Sequence, residues 1–406
     1  LANFAAYTEK MKVHRVLVTA IAETLQRIFA EGVYADKAVE QVLKQNPSWG
    51  SRDRRFIADN VYNIVRWWRL VNELAGADRK DDYFFLSGVW LAFSTGIIPS
   101  WNEFRSIDPE GIAEKYEKIR SQRRIKESVP DWLDELAVAE LGEDVWTKEI
   151  TALNTPANVV LRINTLKTSL DAAEKKLAEE TIEVKRVPGY DDALMLSKRQ
   201  NLQNSESYKK GLIEVQDASS QLIAPFMKLE AGMSVIDACA GAGGKSLHIA
   251  AKLKNKGKIL SMDLEERKLK ELERRAERAG AKIISTEVIR NGTIGRLKES
   301  ADRVLLDVPC SGLGVLRRSP DTKWKLKPEF LDQIRDTQQQ IISEYSQMVK
   351  PGGMLIYATC SILPSENQEQ VKRFLERHKE FVFEEDRKVL ASEGFDGFYM
   401  ARMKRT

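Results

Sequence analysis

The sequence predicts a multidomain α/β protein, and three observations predict it. Apolar residues recur at helical spacing through roughly the first 125 residues. A short region after them mixes strand-like and helix-like runs. From about Gly211 onward, short apolar runs alternate with helical stretches, which is the pattern of a parallel sheet covered by helices. With 406 residues the chain has room for two or three domains, each with its own core.

The helical region comes first. "VHRVLVTAIAETLQRIF" (13–29) carries Val13, Val16, Leu17, Ala20, Ile21, Thr24, Leu25 and Ile28 on one face. "SRDRRFIADNVYNIVRWWRLVNELAG" (51–76) predicts a helix capped by Ser51 and ended by Gly76. Tyr83 to Asn102 contains no charged residue and is long enough to cross a bilayer. Ser87, Gly88, Ser94, Gly96 and Pro99 interrupt it, so it is read as a buried core helix over about 83–94. "KYEKIRSQRRIK" (115–126) has six Lys/Arg and one Glu, and reads equally as an RNA-facing patch or a solvated helix face.

"SVPDWLDELAVAELG" (128–142) opens another helix near Pro130. "NVVLRINTL", the helix "SLDAAEKKLAEE", "IEVKRVP" and "ALMLS" then form a small α/β unit. The strands "SVIDAC", "KILSMD", "KIISTEV", "RVLLDVP" and "GMLIYATC" make the parallel sheet that follows.

Composition narrows the function. The net charge is only +4, which permits nucleic-acid binding without arguing for it. Three cysteines with no C-x-x-C pair do not make a disulfide framework, and three scattered histidines make a metal site unexpected. No basic-apolar-small signal pattern opens the sequence. A reducing, cytoplasmic location and no membrane association are expected.

Chemistry concentrates at the carboxyl ends of the strands. "VIDACAGAGGKSLHIAAKL" is strand, glycine-rich loop, helix. Gly241, Gly243 and Gly244 let a ligand approach backbone N–H groups at a helix start. The spacing is not that of a phosphate-binding P-loop. Asp263 ends the next strand, where an acid accepts hydrogen bonds from a ribose diol; it also reads as the N-cap of the helix that follows. Loop and acid together suggest an adenosine-containing cofactor.

"RVLLDVPCSGLG" places Asp307, Pro309 and Cys310 at the same end of the sheet, and "YATCSILPSEN" places Cys360 there. A lone strand-end cysteine reads as core packing. Two of them on adjacent strands, each beside a polar turn, read as reactive. A thiolate adds to the electrophilic carbon 6 of a pyrimidine, and the adduct's carbon 5 then accepts a methyl group from S-adenosylmethionine. The basic stretch "RRSPDTKWKLK" (317–327) suits a nucleic acid, with Arg317, Arg318, Lys323, Lys325 and Lys327 on phosphates and Trp324 stacking on a base.

These residues carry a family resemblance. "VQDASSQ", "DACAGAGGK", "LLDVPCSGLGVLRRSPDTKW", "YATCSILPSEN" and "DGFYMARM" resemble the Sun (Fmu-type) RNA cytosine-5 methyltransferases, closest in layout to the bacterial small-subunit ribosomal RNA methyltransferase B group. The likeness spans about residues 128 to 406, and "SRDRRFIADNVYNIVRWW" in the helical region resembles a NusB-type RNA-binding domain. The resemblance implies three domains. These are a NusB-like domain over 1–127, a small RRM-like α/β domain over 128–210, and a Rossmann-like class I methyltransferase domain over 211–406.

It implies Cys360 as nucleophile, Cys310 as the cysteine that aids release, and Asp307 as the acid between cofactor and target base. Cys239, Ala240, Gly241, Ala242, Gly243, Gly244 and Lys245 match the cofactor loop, with Cys239 packing beneath the cofactor and Asp263 holding the ribose. The family has Pro where Ala242 stands. It also ends its third strand with an Asp for the adenine amino group, where this chain offers Arg290 or Asn291. The implied partner is RNA, with 16S ribosomal RNA the expected substrate and a monomer the expected state. Transfer RNA is an alternative substrate. A non-catalytic RNA-binding or ribosome assembly factor, and a DNA-type enzyme with Cys310 as nucleophile, are the rival readings.

Overall fold

The computed structural model describes residues 13–406, so the first residues of the predicted helical region lie outside the described residues. The chain forms two compact units. The first holds the residues up to Asn154 together with Leu316–Pro328, and the second holds Thr155–Val315 and Glu329–Thr406.

In the first unit, helices Arg15–Phe29, Ala35–Gln45, Ser51–Arg66, Trp68–Ala75 and Tyr83–Thr95 bury their apolar faces together. Trp90 is at the centre, and its indole N–H donates to Asn60 Oδ1 at 3.0 Å. The uncharged helix is indeed a core helix, ended by Gly96 in the left-handed region (φ 70°). Among the described residues no helix is long and apolar enough to cross a membrane. Helices Asp131–Leu141 and Glu143–Leu153 also belong to this unit, so the sequence-predicted boundary at 127/128 falls inside it.

Several basic residues do different work from that expected. Ser51 is the first helical residue rather than the cap, which is Gly50. Arg54 donates to the carbonyls of Leu43, Asn46 and Trp49, satisfying orphan acceptors where helix Ala35–Gln45 ends. Arg69 binds the Val129 carbonyl and Asp131. In the 115–126 run, Arg123 and Arg124 both grip the buried Asp134, and Arg123 also reaches Glu143. This part of the run is spent on ion pairs around one buried carboxylate.

The stretch 317–327 is corrected most. Arg66 donates to the Arg317 carbonyl at 2.8 Å, and Arg317 Nε donates to the Ala152 carbonyl at 2.9 Å. Asp321 accepts from the Ala35 N–H at 2.9 Å, at the start of helix Ala35–Gln45. Lys323 is 1% exposed and donates to Asn154 Oδ1 at 3.1 Å; burial holds its pKa well below the ordinary lysine value. The Trp324 indole N–H donates to the Val65 carbonyl, and Lys325 Nζ to those of Gly32 and Val33. These groups are spent inside the helical unit and do not wait for phosphates; Lys327 stays exposed.

The second unit has two sheets. Strands β1 (Val160–Ile163), β2 (Val184–Arg186), β3 (Ala193–Leu196) and β4 (Ile213–Val215) pair antiparallel in the order β2-β3-β1-β4. With helices Leu170–Glu179 and Glu206–Lys209 this is a ferredoxin-like βαββαβ unit, the expected RRM-like topology. β4 lies beyond residue 210, where the sequence reading ends this domain, yet it pairs with β1.

The larger sheet comprises β5 (Ser234–Asp237), β6 (Lys258–Asp263), β7 (Ile284–Val288), β8 (Ala301–Asp307), β9 (Val349–Thr359), β10 (Phe381–Val389) and β11 (Phe398–Arg405). Its order is β10-β11-β9-β8-β5-β6-β7. β5 to β9 run parallel, while β11 is antiparallel to β9 and β10 to β11. The chain moves outward from β5 through β6 to β7, then returns to β8 on the other side of β5. That reversal opens a crevice at the carboxyl ends of β5 and β8, as in Rossmann-like sheets.

Candidate active site

Four strand ends deliver the predicted residues to one place. β5 ends at Asp237, β6 at Asp263 and β8 at Asp307, while β9 ends at Thr359, just before Cys360. β8 and β9 are parallel neighbours in register, Asp307 opposite Ala358, and their exit loops bring the two cysteines together. Cys310 Sγ and Cys360 Sγ are 3.1 Å apart and both are free thiols in partly buried positions.

The loop backbones fix that approach. The Gly314 N–H donates to the Cys360 carbonyl at 2.9 Å, and the Gly397 N–H donates to the Gly314 carbonyl at 2.8 Å. The hydrogen bond with Cys360, then burial, raises the Cys310 pKa well above the ordinary thiol value; the charges of Cys360 and Glu366 add to this.

Lys245 joins the site from the first turn of helix Gly244–Lys252. Its Nζ lies 2.5 Å from Asp307 Oδ2 and 5.4 Å from the ring centre of Phe398. Burial works against its charge, but Asp307 and Asp237 more than offset this and raise its pKa. Phe398, from β11, is a site residue that sequence reasoning did not single out. Its signal lay in "DGFYMARM", read there only as a family match.

The glycine loop joins β5 to helix Gly244–Lys252. Gly241 (φ 55°) and Gly243 (φ 84°) are left-handed. A Cβ on Gly243 would meet Leu272 Cγ at 2.3 Å, whereas one on Gly241 would meet nothing within 4 Å. Gly243 therefore serves packing, and Gly241 leaves open space above the loop. Asp263 Oδ2 accepts from the Gly241 N–H and Oδ1 from the Glu265 N–H, each at 2.9 Å. Asp263 does not cap the next helix, since the N-cap is Glu265. Arg290 and Asn291 lie just past β7, exposed at the same end of the sheet. Cys239 is held as a thiol by burial, which pushes its pKa up, and then by Asp307. That suits packing better than nucleophilic attack.

An adenosine cofactor fits these residues. Space lies over Gly241, and a carboxylate sits one strand away. Asp237 is fully buried, and its Oδ1 has no hydrogen-bond partner while Oδ2 accepts from Ser246 Oγ at 2.6 Å. A ligand ammonium group would satisfy that orphaned oxygen.

Asp237 also makes a pH prediction. Burial pushes its carboxyl up to about 6 from 3.8. The folded state thus holds the proton more tightly, so this contribution to stability is complete below pH 3.8 and is lost as pH rises through about 6. Asp237→Asn should stabilise the protein by at most ~3 kcal/mol at pH 8 and not at all near pH 4. Urea unfolding at the two pH values checks this; equal effects at both would contradict it.

Residues 224–404 match the family described as "16S rRNA methyltransferase RsmB/F", and residues 129–203 match its ferredoxin-like domain. The chain is 30% identical over 391 residues to the probable ribosomal RNA small subunit methyltransferase B of Synechocystis sp., covering 86% of each. It is 35% identical over 282 residues to the protein of that description from Bacillus subtilis, spanning 68% of this chain and 63% of that relative's length. Its fold resembles the crystal structure of PH0851, with TM-score 0.81 and 23% identity over 98% of this chain and all of that one. The chain belongs to the RsmB/F family of S-adenosylmethionine-dependent 16S rRNA methyltransferases.

Proposed function

We propose that this chain methylates carbon 5 of a cytosine in RNA, with 16S ribosomal RNA the expected substrate, Cys360 as nucleophile and Cys310 as the group that frees the product. The observation that carries the reading is the pair of thiols 3.1 Å apart beside the Lys245–Asp307 ion pair. One thiol serves for addition. A second at that distance is required only if the first must later be released.

The Cys360 thiolate attacks carbon 6, and negative charge moves onto the ring. The Lys245 ammonium, held in place by Asp307, offsets that charge where it develops. Asp307 has a second oxygen to accept from the cytosine amino group. S-adenosylmethionine, when bound, supplies the methyl group; the loop from Cys239 to Lys245, Asp263 and Asp307 would hold it, with Arg290 or Asn291 at the adenine.

Release then needs a base for the carbon-5 proton. Cys310 is held as a thiol chiefly by its hydrogen bond with Cys360. Once Cys360 sulfur is bonded to carbon 6, that cause is gone. Cys310 gives its proton to water, and its thiolate takes the proton from carbon 5. The carbon 5–carbon 6 double bond re-forms, and the Cys360 thiolate leaves with the electrons of the carbon–sulfur bond.

Sequencing bisulfite-treated RNA from cells with and without this protein tests the reading. One protected cytosine in 16S RNA should lose protection when the protein is absent. A lost signal in transfer RNA instead, or none in any RNA, would refute the substrate or the chemistry. Asp263→Ala should weaken S-adenosylmethionine binding by about 1–3 kcal/mol through lost hydrogen bonds. Unchanged affinity by calorimetry would mean that the ribose sits elsewhere.

The helical region over 1–127 is proposed to be NusB-like and to add RNA affinity, not chemistry. Deleting it would strip Lys325 and Trp324 of their partners, so charge reversal is the cleaner test. With exposed Arg52 and Lys118 changed to Glu, RNA affinity should fall and its logarithmic salt slope should become shallower by about 1–2. Equal affinity and slope would count against an RNA-binding surface there.

A further inference from the structure

Glu366 is 0% exposed, and its carboxylate accepts four hydrogen bonds, all from neutral donors. Oε2 takes the Ser311 N–H at 2.8 Å and Gln338 Nε2 at 3.0 Å. Oε1 takes the hydroxyls of Ser311 at 2.5 Å and Ser361 at 2.6 Å. Gln338 Nε2 also donates to the Pro309 carbonyl at 3.0 Å. The carboxylate therefore holds Ser311, directly after Cys310, and Ser361, directly after Cys360, and through Gln338 it reaches Pro309, directly before Cys310. Its own backbone is pinned from β9, where the Tyr357 hydroxyl donates to the Glu366 carbonyl at 2.7 Å.

Burying a carboxylate with no cation beside it is costly, and an apolar residue would fill the same volume more cheaply. An apolar residue would also take the carboxylate acceptor from three donors on two different loops and from Gln338 on a helix. We propose that Glu366 is a positioning residue of the two-cysteine site, tying the loop after β8 to the turn after β9 and so setting the spacing of the two sulfurs. This rests on the reading that Cys360 forms the adduct and Cys310 ends it. Release depends on that spacing more than addition does, because only release needs both sulfurs at one base. The charge of Glu366 also adds to the raised pKa of the Cys310 thiol, after the Cys360 hydrogen bond and burial.

The test measures spacing without RNA. Limiting diamide takes the two thiol hydrogens, is reduced to the hydrazine form, and leaves a Cys310–Cys360 disulfide. In the wild type, free thiols should fall from three to one. Glu366→Gln should slow this by about 10-fold or more while the melting temperature and cofactor affinity hold. With RNA, the same variant should accumulate adduct and lose turnover with KM unchanged. Ser311→Ala/Ser361→Ala, which removes two donors and keeps the carboxylate, should give a smaller slowing and serves if the Gln variant does not fold. Disulfide formation as fast as wild type in both variants overturns the proposal, as does slowing that merely follows a fallen melting temperature. If no adduct forms even in the wild type but the disulfide still slows in the variants, the positioning stands and the methylation reading fails.

Discussion

Cys310→Ala is expected to accumulate a covalent protein–RNA adduct that survives denaturing electrophoresis. Addition and methylation need only Cys360, the ion pair and the cofactor, so they proceed. The carbon-5 proton then has no base 3.1 Å from the bonded sulfur, and the adduct persists. Cys360→Ala removes the nucleophile, so it should form neither adduct nor product, a loss of about 10⁴-fold or more. Cys310→Ala/Cys360→Ala should behave like Cys360→Ala. An adduct that accumulates in Cys360→Ala instead would exchange the two assignments and favour the DNA-type mechanism. If neither single variant gives an adduct while the wild type makes product, Asp307 or water is the base.

Gly314→Ala is expected to disable the site without touching a reacting atom. A Cβ there would lie 2.1 Å from the Gly397 carbonyl oxygen and 2.7 Å from that of Cys360. Both are backbone atoms and neither swings aside as a side chain does. The Cys360 carbonyl must retreat, and it carries its sulfur with it. Turnover should drop by about 10²-fold, the cost of misplacing a reacting group by an ångström. Stability should fall by about 1–3 kcal/mol, the usual cost of overpacking. Adduct assays and thermal unfolding read the two effects separately, and a variant with near-normal turnover would show that the loops are not held as described.

The sequence was most legible where structure is decided locally. β5, β6, β8 and β9 are apolar runs that end in polar turns, so their carboxyl ends, and the acids and cysteines on them, could be placed without coordinates. The adjacency of Cys310 and Cys360 followed from the alternation of strands and helices. Less legible was any residue whose partner lies far along the chain. Arg66 and Lys323 look like surface cations in a linear reading, but each is buried against a carbonyl or amide distant in sequence. Glu366 stands inside "YATCSILPSEN", where a lone glutamate in a turn has no periodic or spacing signal. β10 was not predicted, since Glu384 to Lys388 are all charged. Such charges suit an edge strand, which pairs on one side only and must not recruit another chain.

The excursion at 316–328 bears on how the protein is made. Synthesis runs from the amino end, and the helices up to Asn154 emerge while the residues that complete their unit are still untranslated. At ~5–20 residues per second, residues 155–315 take roughly ten to thirty seconds to follow. Through that interval the Val65 carbonyl, Asn154 Oδ1 and the Ala35 N–H lack the partners that Trp324, Lys323 and Asp321 bring later. The nascent chain up to Asn154 is thus an unfinished fold that must stay out of aggregates until a late segment arrives. A gene split between the two halves would give one product without its keystone and another carrying that keystone, Trp324 and a buried lysine included, into water.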